Sequence, residues 1–333
     1  MKLTLEDVIR RNVPLSTQNE LGWFPVLHTA CDHGRKGKRA GFKFNGDSVW
    51  FNCFNCALGA AYTPSEHPFL SENMRQVMDD FLIPASEYRQ VVLEALKEHP
   101  TLSSNKIPEE PSENLEPPEI PLPDIFYKLS ETSNSWATLA NQYLKNRGID
   151  PNSYPFMLAR KSNQKHLKDW FGRLIIPIYK NKKLIFYLGR DLTSKVRNKY
   201  EFPSVSRDNI IYGYDRLFTD HDSPLYVVEG WFDAQVIDGV AIFGNKLNDS
   251  KIKILNKSPR KKVYIPDRTG NGIIGAEQAL EAGWAISTPN IGNCKDMNEA
   301  VVDKGQIYVL KTLAENTSDD PFTAYVKLKM FCE

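Results

Sequence analysis

Two groups of residues in this 333-residue chain have the types and spacing to do chemistry. His28-Thr-Ala-Cys31 and Cys53-Phe-Asn-Cys56 are paired donors, with 21 residues between the pairs. A pair separated by two residues grips a metal from one turn, and two such pairs complete the four Cys and His ligands of a structural zinc. His33 competes with His28 for the remaining place, because Cys31-x-His33 offers a tighter bite. Such a zinc has no catalytic role. Its binding free energy stands in for the core that about 60 residues lack. The second group is acidic. Tyr226-Val-Val-Glu229 is an apolar run ending on an acid, Val263-Tyr-Ile-Pro-Asp267 repeats it, and Asp296 follows in Lys295-Asp-Met-Asn-Glu299. Acids at the carboxyl ends of buried parallel strands point into the crevice where open sheets bind ligands. Three carboxylates meeting there repel one another unless a divalent cation neutralises them, and phosphoryl transfer uses such a cation. Magnesium is expected, with manganese as a substitute. Asp233, in Glu-Gly-x-x-Asp, is placed to support the three from the following helix.

These groups need elements to hold them. Gly41-Phe-Lys-Phe-Asn and Ser48-Val-Trp-Phe-Asn alternate apolar and polar residues about Gly46-Asp47, which predicts a hairpin between the knuckles. The same region interleaves Arg35, Lys36, Lys38, Arg39 and Lys43 with Phe42, Phe44, Trp50 and Phe51. Cations for phosphates and ring faces for bases are what a single nucleic-acid strand requires. Residues 71–81 and 86–98 read as two helices capped by Ser71 and Ser86 and separated by Pro84. Residues 101–124 carry six prolines between 108 and 123 among Glu109, Glu110, Glu113, Glu116 and Glu119. That composition buries too little apolar surface to offset its ordering entropy, and an extended tether is expected.

Beyond it, residues 136–147 have helical spacing that stops at Gly148, and residues 174–179 and 184–189 flank Lys180-Asn-Lys-Lys183 as a hairpin. From 225 to 302, apolar runs at 225–228, 240–243, 263–265 and 285–288 alternate with helical stretches at 231–238, 249–256 and 272–282. Such alternation predicts a parallel sheet covered by helices. Residues 308–330 read as an amphipathic tail.

Lys+Arg 42 against Asp+Glu 41 leaves a net charge of +1, so nucleic-acid binding has to come from local patches. Apolar stretches fall short of the ~20 residues that span a bilayer, and the first residues do not lead into a signal-peptide core. Three of the five cysteines sit in the knuckle region, which favours metal thiolates in a reducing cytoplasm over disulfides. Cys294 and Cys332 are expected to be ordinary thiols.

The order and spacing of these segments resemble a phage DNA primase of the zinc-ribbon plus Toprim type, closest to the stand-alone primases of T-even-like phages. Tyr143-Leu-Lys-Asn-Arg-Gly-Ile, Gly172-Arg-Leu-Ile-Ile-Pro-Ile, Leu188-Gly-Arg190, Lys199-Tyr200 and Ile211-Tyr-Gly resemble the basic subdomain that precedes Toprim in primases. The resemblance covers nearly all the chain except the tether and about the last 30 residues. It implies an α/β multidomain protein: a zinc ribbon at 1–62 for template recognition, a short helical segment at 63–100, and the Pro/Glu-rich linker at 101–124. An RNA-polymerase core then follows, with a basic mixed α+β subdomain at 125–220, a Toprim parallel-sheet subdomain at 221–303 and a helical tail at 304–333. It further implies magnesium-dependent synthesis of short RNA primers on single-stranded DNA from ribonucleoside triphosphates. Glu229, Asp267 and Asp296 would hold the metal, and Arg173, Arg190 and Lys199 sit where the family keeps cations for template and nucleotide. No Gly-x4-Gly-Lys-Ser/Thr loop is present, so the replicative helicase is expected to be a separate chain, with no membrane partner. The expected location is the cytoplasm, that of the host cell if the chain is phage-encoded.

One position departs from the family pattern. An acid is usual two residues after Asp267, and here Asp267-Arg268-Thr269-Gly-Asn271 places Thr269 there. This departure keeps open a non-catalytic DNA-binding adaptor with a degenerate Toprim. A Toprim nuclease is the other alternative, which the ribbon and the Arg173/Arg190 segment argue against.

Overall fold

The computed structural model describes residues 2–31, 39–98, 116–193, 198–219, 222–268 and 272–332. Outside them lie His33, Arg35, Lys36, Lys38, Thr269 and residues 101–115 of the expected tether. The chain divides into two compact units: residues 1–106 with 280–283 and 320–326, and residues 107–279 with 284–319 and 327–333.

The first unit opens on α1 (Leu5–Asn12), whose start is closed by a reciprocal Thr4–Asp7 capping box. A four-stranded antiparallel sheet follows in chain order: β1 (Trp23–Val26), β2 (Ala40–Asn45), β3 (Ser48–Cys53) and β4 (Gly59–Tyr62). β2 and β3 form the expected hairpin, turned by Gly46 at φ +63, the backbone conformation a two-residue loop with a leading glycine needs. Two helices follow: α2 (Glu72–Asp80), capped by Ser71 on the Met74 N–H, and α3 (Ala85–Glu98). Ser86 lies inside α3 and is not its cap.

Alternation along the hairpin sorts its residues onto two faces. Phe42 and Phe51 are opposite one another and buried at 0% and 2% exposure, with Phe81 at the end of α2 packed on both rings. Trp23, Lys43 and Trp50 pair side by side across the other face and stay half-buried. The expectation that all four rings 42, 44, 50 and 51 face a nucleic acid is thereby corrected. Phe42 and Phe51 are core, and Phe44 is covered by Phe24 and the Arg10 guanidinium. The helices at 72–98 pack on the sheet within one unit, so the segments expected at 1–62 and 63–100 fold together.

The second unit contains two sheets among its described residues. The antiparallel one orders β5 (Phe126–Lys128), β6 (Met157–Ala159), β7 (Arg173–Lys180), β8 (Lys183–Asp191) and β9 (Tyr200–Glu201) in sequence. α4 (Ser135–Asn146), capped by Asn134, ends with Gly148 at φ +68. The hairpin β7–β8 turns through Asn181 and Lys182, both at positive φ. Residues 116–124 are docked here, contrary to a tether running through 124. Ile120 N–H donates to the Leu184 carbonyl at 2.9 Å, and Ile120 and Leu122 pack on a cluster of Phe126, Trp170, Ile175 and Tyr187.

The other sheet is built from β10 (Leu225–Val228), β11 (Val240–Ala241), β12 (Lys262–Tyr264), β13 (Ala285–Ser287) and β14 (Thr317–Ser318). Its order is β11-β10-β12-β13-β14, parallel except for β14. α5 (Trp231–Val236), α6 (Asp249–Asn256) and α7 (Gly272–Glu281) connect the parallel strands. α8 (Met297–Lys304) and α9 (Gln306–Glu315) follow, and then α10 (Pro321–Cys332), whose residues 321–326 belong to the first unit, so the expected amphipathic tail is two helices broken at β14. β10 is buried along its whole length, which is why it reads as a continuous apolar run without alternation. The chain passes from β10 to β11 on one side and returns to β12 on the other. That reversal opens a crevice at the strands' carboxyl ends.

Candidate functional site

Glu229 is the residue after β10, Asp267 lies three residues beyond β12, and Asp296 caps α8 by accepting the Glu299 N–H at 2.8 Å. Asp233, in the first turn of α5, accepts the Asn298 N–H at 2.9 Å. All four line one cavity of about 250 Å³ at the switch point. Two glycines let the backbone close around them. A Cβ on Gly272 would stand 2.2 Å from the Asp267 carbonyl oxygen, and one on Gly230 would stand 2.9 Å from Asp233 Oδ2.

Electrostatics in the cavity are those of charge crowding. Burial pushes Glu229 up to about 8, and the charges of Asp267 and Asp233 add to the shift. Burial and then Asp296 raise Asp233, and the same two causes raise Asp267 against the pull of Lys199. Glu229 Oε1 is buried and has no hydrogen-bond partner among the described residues. An orphaned carboxylate oxygen beside further raised acids is the donor chemistry a hard divalent cation satisfies. Among the described residues these acids do not form a tight ligand cluster.

Arg147, Lys199 and Arg207 line the same cavity as the acids. Arg147 lies over the Phe232 ring at 4.9 Å and Arg207 over Phe202 at 4.5 Å. Lys199 is shifted down, first by burial and then by Arg190 and Arg147. Phe202, Phe243 and Trp231 give the cavity an aromatic wall. Arg190 lies behind it, buried between Tyr143 and Tyr200 at 5.6 and 4.9 Å. Arg173 is not part of this lining. At 4% exposure it donates to the main-chain carbonyls of Asp169, Gly189 and Asn198, which makes it a clamp on its own sheet. Sequence reasoning missed Arg147, Arg207 and Asn298. For Arg147 a signal existed, since it precedes the helix-ending Gly148 in a segment already singled out.

The other group assembles as the spacing predicts. His28, Cys31, Cys53 and Cys56 bring one donor atom each within 4.8 Å of one another. Cys31 Sγ is 3.4 Å from Cys53 Sγ and 3.2 Å from His28 Nδ1, and Cys56 Sγ is 3.7 Å from that nitrogen. A zinc–sulfur bond of about 2.3 Å implies tetrahedral edges of roughly 3.8 Å, so the cluster could hold one zinc ion. Burial and the adjacent thiols push Cys31 up to about 12. Burial opposes ionisation of Cys53 as well. The Cys56 and Asn55 N–H groups and the His28 ring outweigh it and bring Cys53 down to about 6. Of the cations expected on nucleic acid, Arg39 is exposed and Lys43 half-buried.

No protein-family model matches the chain, and no curated protein matches it in sequence. Solved structures do. The RNA polymerase domain of Mycobacterium tuberculosis primase DnaG is 16% identical over 61% of this chain and 83% of that chain, with a TM-score of 0.51. A DNA primase domain from Pseudomonas aeruginosa is 18% identical over 58% and 76%, at 0.48. The zinc-binding and RNA polymerase domains of the Aquifex aeolicus primase are 17% identical over 96% and 83%, at 0.46. The first of these likenesses shows the fold: the chain is an α/β multidomain protein, and the matched part has the architecture of a primase polymerase core. No described helix is long and apolar enough to cross a membrane.

Proposed function

We propose, from the fold shared with that polymerase core, that this chain is a DNA primase making short RNA primers on single-stranded DNA for phage replication. The observation that carries the reading is the crevice itself. Four acids line one cavity at the switch point with one buried oxygen unpartnered, and cations and aromatic rings line it with them.

In this reading the unit at 221–303 is the Toprim subdomain and 125–220 its basic companion. Glu229, Asp267 and Asp296 hold magnesium, and Asp233 braces the site by fixing the start of α8. When bound, the metal supplies positive charge for the triphosphate and for the oxygens that attack and leave. Arg147 and Lys199 draw in the phosphates, while Phe202 and Phe243 offer ring faces to a base. Arg190 props Tyr200 and contributes its charge from behind the wall. Arg173 supports the sheet that carries them. The 3′-hydroxyl of one nucleotide attacks the α-phosphate of the next, and pyrophosphate departs. The zinc unit reads the template through Arg39 and the row Trp23, Lys43 and Trp50, where a cation lies between two stacking surfaces. Arg35, Lys36 and Lys38 are assigned to the same strand contact from the sequence pattern alone. The replicative helicase is a separate partner chain, and the work takes place in the host cytoplasm.

Incubating the chain with single-stranded DNA, labelled ribonucleotides and magnesium, with and without the helicase, tests this. Short labelled RNA is expected, and none under either condition overturns it. Thr269, uncharged where the family carries an acid, favours a second reading, an adaptor that binds single-stranded DNA without polymerising.

A further inference from the structure

Asp80, the last residue of α2, reaches the zinc cluster from outside the ligand motif. Its Oδ2 is 2.8 Å from His28 Nε2, the ring nitrogen that faces away from the thiols. The other nitrogen, Nδ1, points at Cys31 and Cys56. Asp80 Oδ1 accepts a hydrogen bond from Gln76 Nε2 at 2.7 Å, one turn earlier on the same helix. The imidazole lies edge-on to Phe51 at 5.3 Å and stacked on Phe81 at 5.6 Å, and the side chains of His28 and Asp80 are 3% and 13% exposed.

A neutral imidazole carries one N–H and one lone pair, and only the lone pair binds metal. With Nε2–H donating to Asp80, the lone pair sits on Nδ1. We infer that Asp80 is a positioning residue of the zinc site: it selects the tautomer that offers Nδ1 to the metal and makes that nitrogen a better donor. Gln76 sets the carboxylate's angle. The inference rests on the zinc reading above. Carboxylates that orient a ligating histidine are worth about 10–100-fold in metal affinity.

The test uses the full chain and competition with a chromophoric chelator for zinc. Asp80→Ala should weaken zinc binding by about 10–100-fold. Asp80→Asn should weaken it less, because its amide oxygen still accepts the Nε2–H but carries no charge. Asp79→Ala, at the exposed neighbour, should leave affinity unchanged. In the unmodified zinc-loaded chain, nitrogen NMR should report a metal-bound Nδ1 and a protonated Nε2 on His28. Binding through Nε2, or parent affinity in Asp80→Ala, overturns the inference and leaves the zinc site standing. A parent chain that binds no zinc overturns both. Should Asp80→Ala fail to fold, the nitrogen assignment in the parent decides alone.

Discussion

Arg147 and Asn298 bind each other in both directions: the guanidinium donates to the Asn298 side-chain oxygen at 2.9 Å, and the Asn298 amide donates to the Arg147 carbonyl at 2.8 Å. The exchange ties the end of α4 to the start of α8, and Asn298 also gives its main-chain N–H to Asp233. Asn298→Ala should therefore cost about 1–3 kcal/mol, because it takes this partner from both the guanidinium and the carbonyl of the partly buried Arg147. Urea unfolding measures this. Ribonucleotide KM should rise as Arg147 loses its aim. Stability within about 0.5 kcal/mol of the parent would show the exchange to be incidental.

Glu229→Gln and Asp267→Asn should each lower primer synthesis by on the order of 10²–10³-fold or more, since each removes charge from the proposed metal site. Thr269→Asp restores a carboxylate at the family's usual spacing and should lower the magnesium concentration giving half-maximal rate. Primer yields from Glu229→Gln equal to the parent's would move the chemistry elsewhere and favour the adaptor.

The pH dependence of stability follows from the raised acids. Glu229 titrates near 8 in the folded chain, against roughly 4.3 when unfolded. Between those values the folded state holds a proton that the unfolded state has released. Stability without magnesium should thus fall as pH rises through this window, by at most about 1.4 kcal/mol per pH unit for this group, and level off above 8. Melting curves of the zinc-loaded chain from pH 5 to 9 check it. Glu229→Gln should flatten the slope, and added magnesium should offset the loss at the alkaline end.

Zinc removal should be felt beyond the ligand motif. Cys53→Ser should lose the metal and, with it, hydrogen-exchange protection from the sheet through α2. Phe81 and Asp80 pack on the ring of a ligand that no longer has a metal to hold. Stoichiometric zinc in that variant would refute the four-ligand assignment.

What was legible in the sequence was mostly local. Two-residue spacing put Cys53 with Cys56, and turn chemistry located the hairpins at Gly46 and Asn181. The crevice acids were readable because a buried parallel strand is a short apolar run and the residue after it is Glu229. Alternation separated Phe42 and Phe51 from Lys43 and Trp50, but it could not say which face meets water. The covering Phe81 decides that from 30 residues beyond Phe51. Arg173 looked like a ligand-binding cation because charge is visible in sequence, whereas the carbonyls it satisfies are not. Asp80 was hidden for a similar reason: its partner lies 52 residues away.

Gly272 gives the crevice a vulnerability that no charged residue has. The start of α7 runs so near the Asp267 carbonyl that a single added methyl would have to displace one of them. A genetic screen for inactive variants would then return position 272 beside Glu229 and Asp267. It could be misread as a reacting group, although glycine has no side chain to react. Its contribution is empty space, and every substitution removes it.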